Sequence, residues 1–499
     1  MNVLIMVDLT LFLLTWNVKD SGPDNGDYSD LLNKAFNSVN GTREPDVIAI
    51  GLQEVAFKLI GPDPWVTKTK EILADRDYVL IKKNQLVGIL LMVLVKRSAI
   101  LDFINIKIDY TRTGLGGLWG NKGAVSVRFD HKGVATVLTN SHLAAHDYNL
   151  ETRISEYKKI NGGQTFEIKD PESRSLRIED HDVSFWLGDL NFRLDELTGQ
   201  EILQKVVYAD LTKNDEERKK QIENLLEYDQ LSKTRRLDKA FNGYSEAPIS
   251  FSPTYKFIVW SNEYDLGRKP AWCDRILYKV RGSSAIKVSP NEYRSHPEFS
   301  QSDHKPVTSF FSLTNPTKLK VKREIRPSPK LKFVTPSDWR IHHDASAFYT
   351  IDDSENSGKT YSSRDSTPDR DLNSTRLLRR QQRSNSLDLS SKLSEFDWIG
   401  LYPENFTDLE EPISFVWSNP EPVQYSGTNR QERLSTSSSS SSSSSSFDLL
   451  GSGNNLPNSP IFKVDFSELV LLKPGRFRLL YFNEDGQLRA MSDPFPIIN

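Results

Sequence analysis

The stretch VSFWLGDLNFR at residues 183–193 places an apolar run directly before a cluster of polar residues. Such a run is typical of a buried strand, and Asp189 and Asn191 follow it two positions apart. In extended backbone both side chains would face the same side. An ionised Asp can take a proton from water, and an Asn can orient a phosphoryl oxygen without adding negative charge. A Gly-Asp turn alone is weak evidence, so the rest of the chain has to support this interpretation.

The same pattern recurs in the first 313 residues, where further apolar runs end in residues able to do chemistry. Residues 11–14, 47–52 and 137–138 lead to Asn17, Glu54 and His142 respectively. Strands this apolar are buried on both faces, as in a sheet covered by helices, and residues 216–231 are a candidate covering helix. The polar strand ends would then form one site at an edge of the sheet.

Asn17 and Glu54 supply an amide oxygen and a carboxylate, which suit Mg²⁺. Taken singly, each is as well explained as a turn or strand-end surface residue. The sequence offers no His/Cys cluster for a softer metal.

An Asp-His pair follows later, at Asp303 and His304. It is typical of a catalytic or phosphate-contacting imidazole, although a surface pair is the alternative. Asp274 opens another apolar run, and it could orient His304 and raise the pKa of the imidazole.

Cationic residues lie near these acids in the chain. Lys122 lies in a glycine-rich segment at 114–123 that lacks the Gly-Lys-Ser/Thr ending of a Walker loop but could still approach an anion closely. Tyr255 with Lys256, and Arg268 with Lys269, precede Asp274. Each could equally be a solvated surface group.

Composition limits the class of protein. The 499 residues carry a net charge of −3, which argues against a general nucleic-acid binder. The single Cys273 excludes an internal disulfide and a Cys-based zinc site, and fits a reducing compartment. Residues 3–14 are apolar but interrupted by Asp8 and not preceded by Lys or Arg, so we expect no signal peptide and no membrane span.

Low complexity divides the chain after residue 313. Residues 314–336 combine basic residues with prolines and predict an extended linker, which serves either solubility or attraction to an anionic membrane. A second compact region at 337–499 has disordered-looking inserts at about 352–394 and 419–460, the latter with serines throughout 437–446. Short strand-like pieces between them predict a small β-sandwich.

Seven strings in order resemble the inositol polyphosphate 5-phosphatases, from residue 15 to about residue 311. The most specific are WLGDLNFR at 186–193 and PAWCDR at 270–275; others are TWNV at 15–18, GNKG at 120–123, NSHLAAH at 140–146, PTYK at 253–256 and SDHKPV at 302–307. The resemblance implies an α/β, DNase I-like (endonuclease/exonuclease/phosphatase) four-layer sandwich over residues 1–313.

The resemblance also implies roles for individual residues. Asp189 would activate water, His304 would stabilise the transition state with Asp274 orienting it, and Asn191 and His142 would bind the scissile phosphate. Asn17 and Glu54, with Asp303 nearby, would form the Mg²⁺ site. The residues implied for the other substrate phosphates, in particular the 4-phosphate, are Lys122, Tyr255, Lys256, Arg268 and Lys269.

The second region resembles the SKICH domain, an immunoglobulin-like sandwich, on the strings DWIGLY at 397–402 and FVW at 415–417. This layout resembles the skeletal-muscle-and-kidney-enriched and proline-rich 5-phosphatases. The string RRQQRSNS at 379–386 resembles a kinase site that would bind 14-3-3 once Ser386 is phosphorylated, or is an unmodified arginine cluster.

These observations predict a Mg²⁺-dependent enzyme that removes the 5-phosphate of phosphatidylinositol 4,5-bisphosphate and 3,4,5-trisphosphate, and of soluble inositol polyphosphates, and so dampens phosphoinositide signalling. We expect a monomer in the cytoplasm, peripheral at plasma membrane or endomembranes, with protein partners on the SKICH-like domain and no nucleic-acid partner. The alternatives are a nuclease of the same fold and a catalytically idle membrane adaptor.

Overall fold

The computed structural model describes residues 7–24, 28–37, 44–56, 61–114, 117, 119–169, 173–315, 330–336, 339–352, 393–418, 461–467 and 473–499. Most of the expected linker, nearly all of the first insert, the whole second insert and Ser386 lie outside these residues. The chain forms two compact units, Met1–Arg326 with Asn405–Glu411, and Pro327–Glu404 with Pro412–Asn499.

The first unit is built on two six-stranded mixed sheets. Its strands are β1 (Val7–Asn17), β2 (Val47–Gln53), β3 (Tyr78–Leu86), β4 (Ile89–Lys96), β5 (Phe103–Gly114), β6 (Trp119–His131), β7 (Val134–His142), β8 (Thr165–Ile168), β9 (Arg174–Arg177), β10 (Val183–Asp189), β11 (Ser245–Glu246), β12 (Asp274–Val280), β13 (Lys287–Ser295) and β14 (Val307–Asn315). The first sheet has the order β13-β14-β1-β2-β4-β3, and the second has the order β11-β12-β10-β7-β6-β5. Strands β8 and β9 form a separate pair.

The two sheets pack face to face through apolar side chains. The ring of Phe185 on β10 lies 5.0 Å from that of Phe311 on β14. β2 and β10 are buried along their whole length, as their mostly apolar sequences predict.

Helices cover the outer faces of both sheets. They are α1 (Tyr28–Asn37), α2 (Pro64–Ala74), α3 (Leu150–Gly163), α4 (Gly199–Leu211), α5 (Asp215–Leu226) and α6 (Gln230–Arg236). α1 and α2 pack on the first sheet through residues such as Leu31 and Trp65, and α3 and α6 pack on the second through residues such as Tyr157 and Leu231. The result is the four-layer α/β sandwich that the resemblance implied.

One expected helix is two helices. The segment 216–231 breaks at residues 227–229, because the first helix ends at Leu226 and Asp229 caps the start of the next: its carboxylate accepts a hydrogen bond from Ser232 N at 2.9 Å. A capping carboxylate at a helix start satisfies backbone N–H groups that would otherwise have no partner.

The second unit contains two antiparallel sheets around a common apolar core. Its strands are β15 (Lys330–Val334), β16 (Ala345–Asp352), β17 (Trp398–Pro403), β18 (Ser414–Trp417), β19 (Ile461–Phe466), β20 (Gly475–Phe482), β21 (Leu488–Met491) and β22 (Phe495–Ile497). β15, β16 and β19 form one sheet, and the remaining strands form the other. Tyr349 and Leu479, from opposite sheets, share the core, so the expected sandwich is present.

The end of the expected linker belongs to this sandwich. Residues 330–334 form β15 instead of extended linker, because Leu331 and Phe333 alternate with polar positions and pack on the core. The lysines between them obscured this period-two pattern in the sequence. Within the part of the chain that is described, no helix is both long and apolar enough to cross a membrane.

Candidate active site

Strand register brings the polar strand ends to one edge of the sandwich. In the first sheet, β1 and β2 run parallel with Asn17 opposite Gln53, and Glu54 follows directly. In the second sheet, Asp189 lies opposite His142 on one side and opposite Asp274 on the other. Five chain segments that are remote in sequence therefore present their functional groups together.

The two sheets meet at Asp189. Asn17 Nδ2, from the first sheet, donates to Asp189 Oδ2 at 3.1 Å. Gly188 permits this placement, because its φ of +143° is outside the usual range of other residues and an added Cβ would lie 2.0 Å from Ser141 O.

Asp189 is a buried carboxylate between two imidazoles. Its Oδ2 lies 3.1 Å from His142 Nε2 and 3.8 Å from His304 Nε2. Burial alone would raise the pKa of Asp189, but the positive charge of His304 and the hydrogen bond with His142 outweigh burial and hold that pKa well below its usual range. The carboxylate is therefore ionised at neutral pH.

His304 is held by a second buried carboxylate. Its Nδ1 lies 2.9 Å from Asp274 Oδ2, which also accepts a hydrogen bond from Thr254 Oγ1 at 2.6 Å. Burial opposes the charge on the imidazole, but Asp274 and Asp189 outweigh burial and raise the pKa of His304 to about 9. At neutral pH the ring is thus an imidazolium that can donate from Nε2. The ring of Tyr255 lies against it, with 4.4 Å between centroids.

The loop that carries Asp303 and His304 is tied to β1. Ser302 Oγ donates to Asn17 O at 2.6 Å, and Trp16 Nε1 donates to His304 O at 3.1 Å. These bonds fix His304 against the strand that supplies Asn17.

Lys122 lies on a strand and not in the expected glycine-rich loop. It belongs to β6, and its Nζ contacts His142 Nε2. Burial, followed by the charge of Lys122, lowers the pKa of His142, which favours a neutral imidazole. Glu54 Oε1 lies 3.8 Å from the same nitrogen. Lys122 became part of a strand because Gly123 pairs with His142, which brings β6 alongside β7.

Asn191 turns back towards Asp189 in a left-handed conformation, with φ of +56°. Its N–H donates to Asp189 Oδ1 at 3.1 Å, and its Nδ2 donates to Leu143 O at 3.0 Å. The side-chain oxygen accepts a hydrogen bond from Arg193 Nη2. Asn191 therefore connects the carboxylate to a buried cation.

Arg193 is a component of the site that the sequence interpretation did not single out. Its guanidinium lies 4.5 Å from the ring centroid of Tyr255, and its buried Nη1 has no hydrogen-bond partner among the described residues. A buried, unpartnered donor beside a catalytic candidate is suited to an anionic ligand. One signal in the sequence could have identified Arg193 as a site residue. Arg193 follows Asn191 by two positions, just as Asn191 follows Asp189.

The oxygen donors beside Asp189 fit a hard divalent cation. Asn17 Oδ1 accepts a hydrogen bond from Lys19 N at 3.1 Å, and the carboxylate of Glu54 is 42% exposed. Carboxylate and amide oxygens are ligands that Mg²⁺ accepts. Asp303 is engaged with Lys19 Nζ at 3.0 Å, so its binding to a cation requires that ion pair to open.

Asp189, Asp274 and His304 also have ligand atoms within 4.8 Å of one another, as a metal site requires. The 2.9 Å bond from Asp274 to His304 Nδ1 and the raised pKa of that imidazole favour a hydrogen-bonded triad at this position, since a protonated imidazole cannot coordinate a metal.

The remaining cationic residues expected to bind substrate lie on and beside one hairpin, at residues 256–266. Lys256 Nζ lies 2.8 Å from Asp265 Oδ2, and Lys269 Nζ lies 3.6 Å from Asp147 Oδ2. Arg268 is exposed. Among the described residues, no hydrogen bond or ion pair joins these three side chains to Asp189. Such contacts do join Asp189 to Asn17, His142, Asn191 and His304.

Known protein families match both parts of this chain. A family model described as "Endonuclease/Exonuclease/phosphatase family 2" matches residues 14–310. A model of the SKICH domain matches residues 384–451, of which the structure describes 393–418.

Two curated relatives match most of the chain. Inositol polyphosphate 5-phosphatase K of Mus musculus is 30% identical over 86% of this chain and 83% of its own length. Phosphatidylinositol 4,5-bisphosphate 5-phosphatase A of Mus musculus is 31% identical over 85% of this chain. The chain spans only 38% of the length of that second relative.

A solved structure matches the first unit. The inositol polyphosphate 5-phosphatase domain of SPsynaptojanin, in complex with inositol (1,4)-bisphosphate and calcium ion, is 31% identical with a TM-score of 0.51. The match covers 62% of this chain and 85% of that domain.

Proposed function

This chain belongs to the endonuclease/exonuclease/phosphatase family and, within it, to the inositol polyphosphate 5-phosphatases, and from that premise we propose that it hydrolyses the 5-phosphate of inositol lipids. The proposed substrates are phosphatidylinositol 4,5-bisphosphate and 3,4,5-trisphosphate, together with soluble inositol polyphosphates. The observation that carries the proposal is the ionised, buried Asp189 held between His142 and His304.

The proposed reaction is a direct in-line attack of water on phosphorus. Asp189 accepts a proton from the water as the new P–O bond forms and the bond to the inositol 5-oxygen breaks. The 5-oxygen leaves with the bonding electron pair and takes up a proton from solvent water to give the inositol hydroxyl. The imidazolium of His304 donates from Nε2 to the phosphoryl group, and Asp274 holds the ring in that orientation. His142 and Asn191 bind the phosphoryl oxygens, and no covalent intermediate is involved.

Mg²⁺ is the proposed cofactor, with Asn17 and Glu54 as its protein ligands and Asp303 nearby. When bound, the ion would neutralise charge on the phosphoryl group. Support comes from the oxygen donors described above and from the calcium ion in the related SPsynaptojanin complex. The negative side chains around Asp189 are themselves a reason for a cation, because a phosphate dianion would otherwise be repelled by them.

An apolar hairpin supports a membrane-bound substrate. Residues 256–266 carry the exposed side chains of Ile258, Trp260 and Leu266, which are 48%, 63% and 41% exposed. Lys256 lies at one end of this hairpin and Arg268 just beyond the other. Cations that bind headgroup phosphates would thus lie beside exposed apolar side chains suited to the bilayer interface. A cytoplasmic enzyme that binds membranes peripherally, as a monomer, is the corresponding proposal.

The second unit is the proposed site of protein partners, by analogy with the SKICH domain. The proposed 14-3-3 site at Ser386 lies outside the described residues. The proposed catalytic domain spans residues 1–313. The SKICH-like domain, expected at 337–499, is proposed to begin earlier, since its first strand starts at Lys330.

The decisive experiment is phosphate release with Mg²⁺ from a panel of inositol lipids and soluble inositol polyphosphates. The variant Asp189→Asn keeps the shape of the side chain, and we expect it to abolish release while the circular dichroism spectrum is retained. Asp182→Asn, which lies just before the opposite end of β10, is the matched control and should retain activity. Release from no inositide would leave the idle-adaptor alternative, and cleavage of DNA instead would favour the nuclease.

A further inference from the structure

The hairpin that begins at Lys256 has a rigid stem. Asp265 N donates to Lys256 O at 2.8 Å, and Ile258 N donates to Glu263 O at 2.9 Å. The rings of Phe257 and Tyr264 stack across the stem with 4.3 Å between centroids. Backbone pairing and ring stacking therefore place residues 256 and 265 side by side.

Asp265 is oriented by its own turn. Its Oδ1 accepts a hydrogen bond from Gly267 N at 2.9 Å, which leaves Oδ2 to bind Lys256 Nζ at 2.8 Å. The hydrogen bond from Lys256 and that from Gly267 lower the pKa of Asp265, so the carboxylate is ionised at neutral pH. Both side chains remain partly exposed, at 26% for Lys256 and 37% for Asp265, and a ligand can reach them.

In this ion pair Asp265 occupies the ammonium group of Lys256, which the proposed function assigns to binding of the 4-phosphate. A substrate phosphate can bind Lys256 only by displacing the carboxylate or by binding beside it against charge repulsion. A phosphate monoester carries about −1.5 to −2 charges and three acceptor oxygens, whereas a carboxylate carries one charge. Replacement of the Asp265 carboxylate by a phosphate monoester on Lys256 is therefore favourable. A singly charged ligand would bind Lys256 no more strongly than Asp265 does, so it would not displace the carboxylate.

We propose that Asp265 is a specificity-determining residue that reserves Lys256 for phosphate monoesters by competing for its ammonium group. The inference rests on the proposed function for the identity of the ligand. It goes beyond that function because it gives a role to an acidic residue in a site that binds anions. That role is to exclude singly charged ligands such as phosphatidylserine or phosphate diesters.

The proposal makes opposite predictions from a purely positioning role. If Asp265 competes, Asp265→Asn frees Lys256 and strengthens binding of ligands with a 4-phosphate. If Asp265 only holds Lys256 in place, the same substitution weakens that binding. Within the described part of the chain, no hydrogen bond or ion pair joins Asp265 to Asp189 or His304, so kcat should change little while KM falls.

The test is calorimetric binding, which does not depend on turnover, using the full chain. Asp265→Asn should bind inositol 1,4-bisphosphate about three- to fivefold more tightly, in line with the release of one partly exposed ion pair. Binding of inositol 1-phosphate, which lacks the 4-phosphate, should not change. Phosphatidylserine vesicles should compete with the bisphosphate for the variant but not for the unsubstituted protein.

Two controls separate competition from a general loss of negative charge. In a Lys256→Met background, Asp265→Asn should give no gain, since the competition has been removed. Asp215→Asn, in the exposed first turn of α5, removes the same charge elsewhere and should give no gain. Weaker binding by Asp265→Asn, a gain that persists with Lys256→Met, or an equal gain for inositol 1-phosphate would each overturn the proposal. Absence of phosphate release with the binding gain intact would instead refute the proposed function alone.

Discussion

Asp274 and His304 form a buried hydrogen-bonded pair, with 2.9 Å between Oδ2 and Nδ1. The pair comes from two segments 30 residues apart, a strand start and a loop. The bond turns the opposite ring nitrogen towards Asp189, 3.8 Å away. Orientation and charge of the imidazole thus both depend on one carboxylate.

Asp274→Asn should lower kcat about 10²- to 10³-fold with little change in KM, because the imidazolium that donates to the phosphoryl group loses its counter-charge. Steady-state phosphate release measures both constants. Thr254→Val removes a neutral hydrogen bond to the same oxygen and should cost much less. A kcat close to that of the unsubstituted enzyme for Asp274→Asn would contradict the assigned role of the pair.

Lys256→Met should reduce activity selectively on substrates with a 4-phosphate, because the charge that meets that phosphate is lost. The comparison is between kcat/KM on phosphatidylinositol 4,5-bisphosphate and on the 3,5-bisphosphate, which lacks the group. Lys219→Met, on the exposed face of α5, is the matched control. An equal loss on both lipids would refute the assignment.

Trp260→Ser should weaken activity on vesicles while activity on soluble inositol polyphosphates is kept, because the exposed indole would contact only the bilayer. Leu101→Ser is the matched control. Leu101 is also exposed. The start of β4 lies near the site, because Leu90 pairs with Leu52, and Leu101 follows the opposite end of that strand. Equal losses on vesicles and soluble substrates would show that Trp260 acts by another route.

Removal of divalent ions with a chelator should abolish phosphate release, and Mg²⁺ should restore it. Glu54→Gln removes a charged donor and should raise the Mg²⁺ concentration needed for half-maximal activity about tenfold or more. Calorimetric titration with Mg²⁺ alone gives the same comparison without turnover. Metal-independent activity would exclude the assigned cofactor.

Acid should destabilise the first unit through His181. Burial, followed by the charge of Arg128, lowers the pKa of this imidazole from 6.5 to about 4, and its Nε2 accepts a hydrogen bond from Arg128 Nε at 3.2 Å. Because the unfolded chain takes up this proton first, stability is complete above pH 6.5 and falls as the pH drops towards 4. The loss is on the order of 3 kcal/mol, at about 1.4 kcal/mol per pKa unit.

Urea denaturation at pH 7 and pH 5 measures this effect. His181→Gln has no proton to gain, so the difference between the two pH values should shrink. A difference of the same size in the variant would assign the pH dependence to other groups. His131, whose pKa burial also lowers to about 4, is expected to supply part of what remains.

Local sequence alone determined much of this protein. Apolar runs such as 47–52 could only be strands buried on both faces, because leaving them in water costs free energy in proportion to their apolar area. The polar residue after each run could be identified for the same reason. A buried sheet reaches the surface at the ends of its strands, so a polar group there can meet a ligand. Asp189, His142, Asn17 and Glu54 were identified in this way.

Tertiary structure decided what depends on register and through-space charge. That Asn17 and Asp189 meet at 3.1 Å follows from the packing of two sheets whose strands lie far apart in the chain, and no local pattern encodes it. The ion pair of Lys256 and Asp265, the place of Arg193 over Tyr255, and the pairing of Lys19 with Asp303 likewise came only from the fold. Side-chain partners and pKa values are set by neighbours in space, whereas a sequence lists only neighbours along the chain.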